Sequence, residues 1–79
     1  MAPDFIIELR SSSDNLKSLQ KRMQEYIENG VRLGWLIDRK NKRVEIYRIN
    51  RDVEVLENPT SLSGEDVLPG FVLDLREIL

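Results

Sequence analysis

The sequence predicts a small α/β (α+β) domain in which a strand–helix–strand crossover is followed by an antiparallel meander. Three observations predict it. Two short apolar runs, Phe5–Ile7 and Leu33–Ile37, flank a stretch of helical periodicity. Arg43–Ile49 alternates in hydropathy with a period of two, as a half-exposed strand does. Clusters of turn formers at Asp38–Lys42, Asn50–Asp52, Asn58–Ser61 and Pro69-Gly70 divide the second half of the chain into short pieces.

Phe5-Ile6-Ile7 is β-branched and aromatic, which suits a strand buried on both faces. Side chains alternate along a strand, so Asp4, Ile6 and Glu8 share one face while Phe5, Ile7 and Leu9 take the other. Ser11-Ser12-Ser13-Asp14 is a helix-start signal, with Ser13 or Asp14 as the cap. Leu16, Leu19, Met23, Tyr26 and Ile27 then recur at spacings of three and four and form one apolar stripe. Asn29-Gly30 ends the helix, because glycine takes the left-handed conformation a helix stop prefers. Leu33–Ile37 is the second strand, parallel to the first through a right-handed crossover. Arg43–Ile49 and Val53–Leu56 continue the sheet as a meander, with Val44 and Ile46 on one face of the first and Glu45 and Tyr47 on the other. Leu62–Leu68 is ambiguous between a short edge strand and a loop. Phe71-Val72-Leu73 is a last strand, and Asp74 caps a terminal turn carrying Leu75, Ile78 and Leu79. Tyr26 and Trp35 are core residues whose polar ends sit at a boundary.

Seventy-nine residues make one domain, spanning 1–79. A chain of this size buries only ~60–65% of its unfolded surface and usually needs a staple. It has no cysteine and no histidine, which excludes disulfides, ordinary zinc sites, histidine-dependent triads and thiol nucleophiles. Association with another chain is the remaining staple. No apolar run approaches the ~20 residues of a membrane span. The first residues carry no basic segment leading into an apolar one, so a cytoplasmic location is the expectation. The net charge of −2 divides unevenly: residues 31–51 carry 7 basic and 2 acidic groups, residues 52–79 carry 1 basic and 7 acidic. Either the basic hairpin and the acidic tail lie together and partly cancel, or the hairpin meets phosphate or an acidic partner.

With those classes excluded, the chemistry left is carboxylates plus Lys and Arg, a set that binds magnesium and acts on phosphodiesters. Glu8-Leu9-Arg10 on a strand end, with Lys21 and Arg22 on the next helix, is such a set in outline.

Pro3-Asp4-Phe5-Ile6-Ile7-Glu8-Leu9-Arg10-Ser11, the stretch from Met23 to Asp38 with Tyr26, Gly30-Val31 and Trp35, and the ending Leu62-Ser63-Gly64-Glu65-Asp66-Val67-Leu68-Pro69-Gly70-Phe71 resemble the Uma-type restriction endonuclease family, common in cyanobacteria. The resemblance implies a PD-(D/E)xK nuclease fold, a central mixed sheet flanked by helices. It places Glu8 as the acidic metal ligand with Asp4 on the metal side, and puts the basic column, usually lysine, on Arg22 with Lys21 beside it. Arg10 falls at the lysine position of the ExK triplet, as a phosphate contact. Family members are longer, and their active-site aspartate lies on a strand upstream of the matched region. The resemblance therefore implies a truncated restriction-endonuclease-like core holding half a site, without efficient catalysis alone, that forms a homodimer or assembles with a partner through an open strand edge. Its runner-up is a magnesium-dependent DNA endonuclease whose site oligomerisation completes. A third reading is a small interaction module that uses the basic hairpin Arg39–Arg51.

Overall fold

The computed structural model describes residues 2–79. Six strands and one helix run in the order β1 (Phe5–Arg10), α1 (Leu16–Glu28), β2 (Leu33–Asp38), β3 (Arg43–Arg48), β4 (Glu54–Glu57), β5 (Ser61–Ser63) and β6 (Val72–Asp74). The first four strands form one sheet in the order β1-β2-β3-β4, with β1 and β2 parallel and the other neighbours antiparallel. This is the crossover and meander that the hydropathy pattern predicts.

The alternation of side chains gives the sheet two apolar faces. Leu33, Trp35 and Ile37 join Val44 and Ile46 on one face, which β5, β6 and the C-terminal turn cover with Leu62 and Leu75. Leu36 and Tyr47 meet α1 on the other, through Leu19 and Met23. All five residues of the helical stripe pack there, as their spacing requires. Every residue of β2 is buried.

Local chemistry sets the ends of α1. The N-cap is Asn15, whose side chain accepts the Ser18 N–H at 3.1 Å. Neither Ser13 nor Asp14 fills that role. Asp14 instead folds the preceding loop back by accepting the backbone N–H of Ser11 at 2.9 Å. At the other end Gly30 adopts φ +104°, and the Val31 N–H returns to the Tyr26 carbonyl.

Two strands differ in burial from the sequence expectation. β1 is an edge strand with one neighbour, so Ile7 and Leu9 are 41% and 50% exposed rather than covered on both faces. β3 is buried on both faces, Glu45 included, because α1 lies over it and Gln20 donates to the Glu45 carboxylate at 2.8 Å. The Trp35 ring is fully buried between Phe5, edge-on at 4.8 Å, and Phe71, stacked at 6.3 Å; its indole N–H has no hydrogen-bond partner among the described residues, so it does not reach a polar boundary. The ambiguous stretch after Thr60 resolves into β5 and a turn over Glu65, which takes φ +56°.

The charge partition closes in part within the fold. Arg43 pairs with Glu57, and Arg48 bridges Glu54 and Glu65 at 3.0 and 2.7 Å. These contacts join the basic middle of the chain to its acidic tail. Among the described residues no helix is long and apolar enough to cross a membrane.

Gly34 sets the approach of α1. A Cβ built there would stand 2.7 Å from the Met23 Cε and 3.2 Å from the Ile6 Cγ2. Met23 is fully buried and has little room to retreat. Gly34→Ala is expected to lower stability by about 1–3 kcal/mol, the usual cost of overpacking, read as a lower urea midpoint at unchanged m-value.

Candidate functional site

Glu8 lies in the edge strand on the face that carries α1, together with Ile6, which packs into the helix cluster. Arg22 and Tyr26 are four residues apart, one turn of α1, and so project to the same side. Both reach Glu8. The Arg22 Nη1 donates to its Oε2 at 3.2 Å and the Tyr26 hydroxyl to its Oε1 at 3.4 Å. The Glu8 and Arg22 side chains are 21% and 53% exposed, so this pair contributes little to stability and remains open to exchange with a ligand.

Arg10 occupies the same face two residues on but turns to a different acid. Its Nη1 donates to the Asp38 Oδ2 at 3.0 Å, and its Nε to the Asp14 carbonyl at 3.3 Å. Parallel register places Arg10 beside Asp38 at the carboxyl ends of β1 and β2. Asp38 also accepts the backbone N–H of Asn41 at 3.2 Å and its Nδ2 at 2.8 Å. Burial opposes ionisation of Asp38, but the Asn41 and Arg10 hydrogen bonds outweigh it and hold the carboxyl below the usual carboxylate range.

Lys21 precedes Arg22 by one residue, about 100° around the helix. It lines an open cleft of about 370 Å³ on the other flank, with Gln20, Gln24, Glu45, Tyr47, Val53 and Val55. There the Tyr47 hydroxyl donates to Glu45 at 2.8 Å; burial first, and the adjacent carboxylate second, push the phenol pKa up. Asp4 precedes β1 and is exposed; its backbone carbonyl accepts the N–H groups of Arg32 and Leu33, which ties the start of β1 to β2. Four residues of extended chain span about 13 Å, so Asp4 and Glu8 do not meet along the strand.

Of the five residues the sequence singles out, Glu8 and Arg22 come together, while Arg10, Lys21 and Asp4 go elsewhere. Sequence reasoning missed Tyr26 as a Glu8 donor, although its spacing from Arg22 carries the signal. It also missed Asp38 as the partner of Arg10. No group of three or more Asp, Glu, His or Cys side chains converges as a metal site among the described residues. A single carboxylate already engaged by a guanidinium and a phenol does not by itself fit a magnesium ion, which needs a near-octahedral set of oxygens.

The Uma2 family model, whose description is "Putative restriction endonuclease", matches residues 1–76. The chain belongs to the Uma2 family. No curated protein matches it. Among solved structures it is similar to one titled a putative nuclease belonging to DUF820, from Anabaena variabilis ATCC 29413, with a TM-score of 0.84 and 25% identity. That alignment covers 99% of this chain and 44% of the other, so this Uma2 chain spans less than half the length of the structure it matches. The fold is thus a restriction-endonuclease-like one, as the sequence resemblance implies.

The Asp38 carboxyl gives a pH signature. Its pKa is lower in the folded state than in the unfolded one, so its contribution is present above the unfolded value of about 3.9 and is lost as pH falls through the folded value. Asp38→Asn is expected to cost about 3 kcal/mol at neutral pH, because it leaves the largely buried Arg10 without its counter-charge. Urea midpoints of the two proteins, measured downward from pH 6, should converge as pH falls through the lowered folded-state value of Asp38.

Proposed function

We propose that this Uma2 chain is a restriction-endonuclease-like domain without efficient catalysis of its own, which completes itself by pairing its β1 edge with a second copy in the cytoplasm. The observation that carries the reading is the state of β1. It holds Glu8, the family's acidic position, yet has one strand neighbour, and Ile7 and Leu9 are half-exposed on the face that elsewhere forms the core. Phe71 and Val72 are exposed as well, at 41% and 61%. An unpaired edge with apolar side chains is a template for another strand. A Glu8 satisfied by Arg22 and Tyr26 is the resting arrangement of half a site.

A second reading is a magnesium-dependent DNA endonuclease whose site the oligomer completes. Glu8 would then be a metal-side carboxylate with Arg22 toward phosphate, while Asp4, Lys21 and Arg10 lie away from that pair. The meeting of Glu8 and Arg22 at the sheet edge favours it. The readings are separated by two measurements on one sample. Sedimentation across micromolar concentrations is expected to show a dimer that Leu9→Lys converts to monomer; a wild-type monomer throughout rejects the assembly. Incubation with DNA and magnesium is expected to leave the DNA intact. Cleavage that vanishes in Glu8→Gln establishes the second reading instead.

A further inference from the structure

The open edge of β1 has few backbone groups to offer, and they restrict how a second copy can pair with it. The Asp4 carbonyl accepts the Leu33 N–H across to β2 at 3.2 Å. The N–H and C=O of one residue address the same side of a strand, and the side alternates from residue to residue. Asp4, Ile6, Glu8 and Arg10 therefore address β2, while Phe5, Ile7 and Leu9 address the open edge. The next edge-facing positions are closed at both ends. Pro3 has no N–H. The Ser11 N–H is already given to the Asp14 carboxylate.

A two-fold axis normal to the sheet closes a pair of copies and sets their β1 strands antiparallel. Only one register then uses all three edge-facing residues. It is centred on Ile7, which meets the partner's Ile7, while Phe5 meets the partner's Leu9 and Leu9 the partner's Phe5. Each of these pairs exchanges two backbone hydrogen bonds. The side chains agree with that choice. Ile7 and Leu9, 41% and 50% exposed, gain apolar neighbours on their own face. On the helix face Glu8 lies opposite the partner's Ile6, and Asp4 opposite the partner's Arg10. The neighbouring registers fail on both counts. Centring on Glu8 sets Glu8 opposite the partner's Glu8 and calls on Ser11. Centring on Ile6 sets Glu8 opposite the partner's Asp4 and calls on Pro3. Like charges directly opposite each other destabilise a strand pair.

We infer that β1 pairs antiparallel with β1 of a second copy in the register centred on Ile7, so that the partner's Ile6 covers Glu8 and Asp4 faces the partner's Arg10. This rests on the assembly reading and specifies it. The Glu8–Arg22 pair, open in one copy, gains an apolar neighbour that only the second copy supplies.

The chain has no cysteine, so a single introduced one reports the two-fold position without interference. Residues directly opposite in an antiparallel pair stand about 4.5–5.5 Å apart at Cα, within the range of a disulfide, whereas diagonal neighbours are about 7–8 Å apart and beyond it. Under mild oxidation Ile7→Cys is expected to form a disulfide-linked dimer, and Ile6→Cys and Glu8→Cys are not. Preferential linkage through Glu8→Cys or Ile6→Cys would overturn the register and uphold the assembly. Sedimentation of the wild type separates the two ideas further: a dimer in which Ile7→Cys does not link defeats the register alone, and a monomer throughout defeats both. A second measurement needs no oxidation. Asp4→Lys puts a cation opposite the partner's Arg10 twice over and should raise the dimer dissociation constant roughly tenfold. Asp52→Lys makes the same change at an exposed position outside the strand and should leave it unchanged. Equal weakening in both variants would count the effect as overall charge and overturn the pairing of Asp4 with Arg10.

Discussion

Burial of β2 on both faces is the constraint on which the other elements depend. Its six residues alternate between two apolar layers and none is exposed. Each layer therefore requires a cover. Helix α1 supplies one, and its approach requires the stripe from Leu16 to Ile27 to face inward. The small β5–β6 sheet and the last turn supply the other, delivering Leu62 and Leu75 against Trp35. The flanking strands are then fixed in register, and Glu8, Arg10 and Asp38 inherit their positions from that register.

Much of this was legible in the sequence because period and punctuation agreed. The crossover and the meander arise from two apolar runs, one helical stripe and a series of turns. The failures have physical causes. Asn15 caps α1 because Asp14 was taken by the turn before it, a competition invisible in a string of four polar cap formers. Glu45 and Tyr47 look like a solvent face by alternation alone, but the helix that covers them is contributed by residues far away in sequence. β1 reads as a central strand by composition and stands at an edge. Its apolar composition carries no sign that it has a single strand neighbour.

The candidate site was legible in part. The acid–base pair of Glu8 and Arg22 came from family resemblance, and the fold brings the two side chains into contact. The place of Lys21 depended on one residue of helical phase, about 100°, which sends adjacent basic side chains to different flanks. The division of charge between the middle and the tail, uninformative as a net value, shows its meaning in the pairs that Arg43 and Arg48 make with acids of the tail.

Gly34 carries a consequence for the geometry around Glu8 although it touches neither Glu8 nor Arg22. The absence of a side chain there lets α1 settle onto the sheet with only Met23 and Ile6 between them. A methyl group in that space would act as a shim beneath the helix and carry Arg22 and Tyr26 outward together. The hydrogen bond from Tyr26 is already long, so it would part first and release one carboxylate oxygen. Variation at this single position among related chains would then act as a gauge of whether the acid is held or free, without any change in the residues that hold it.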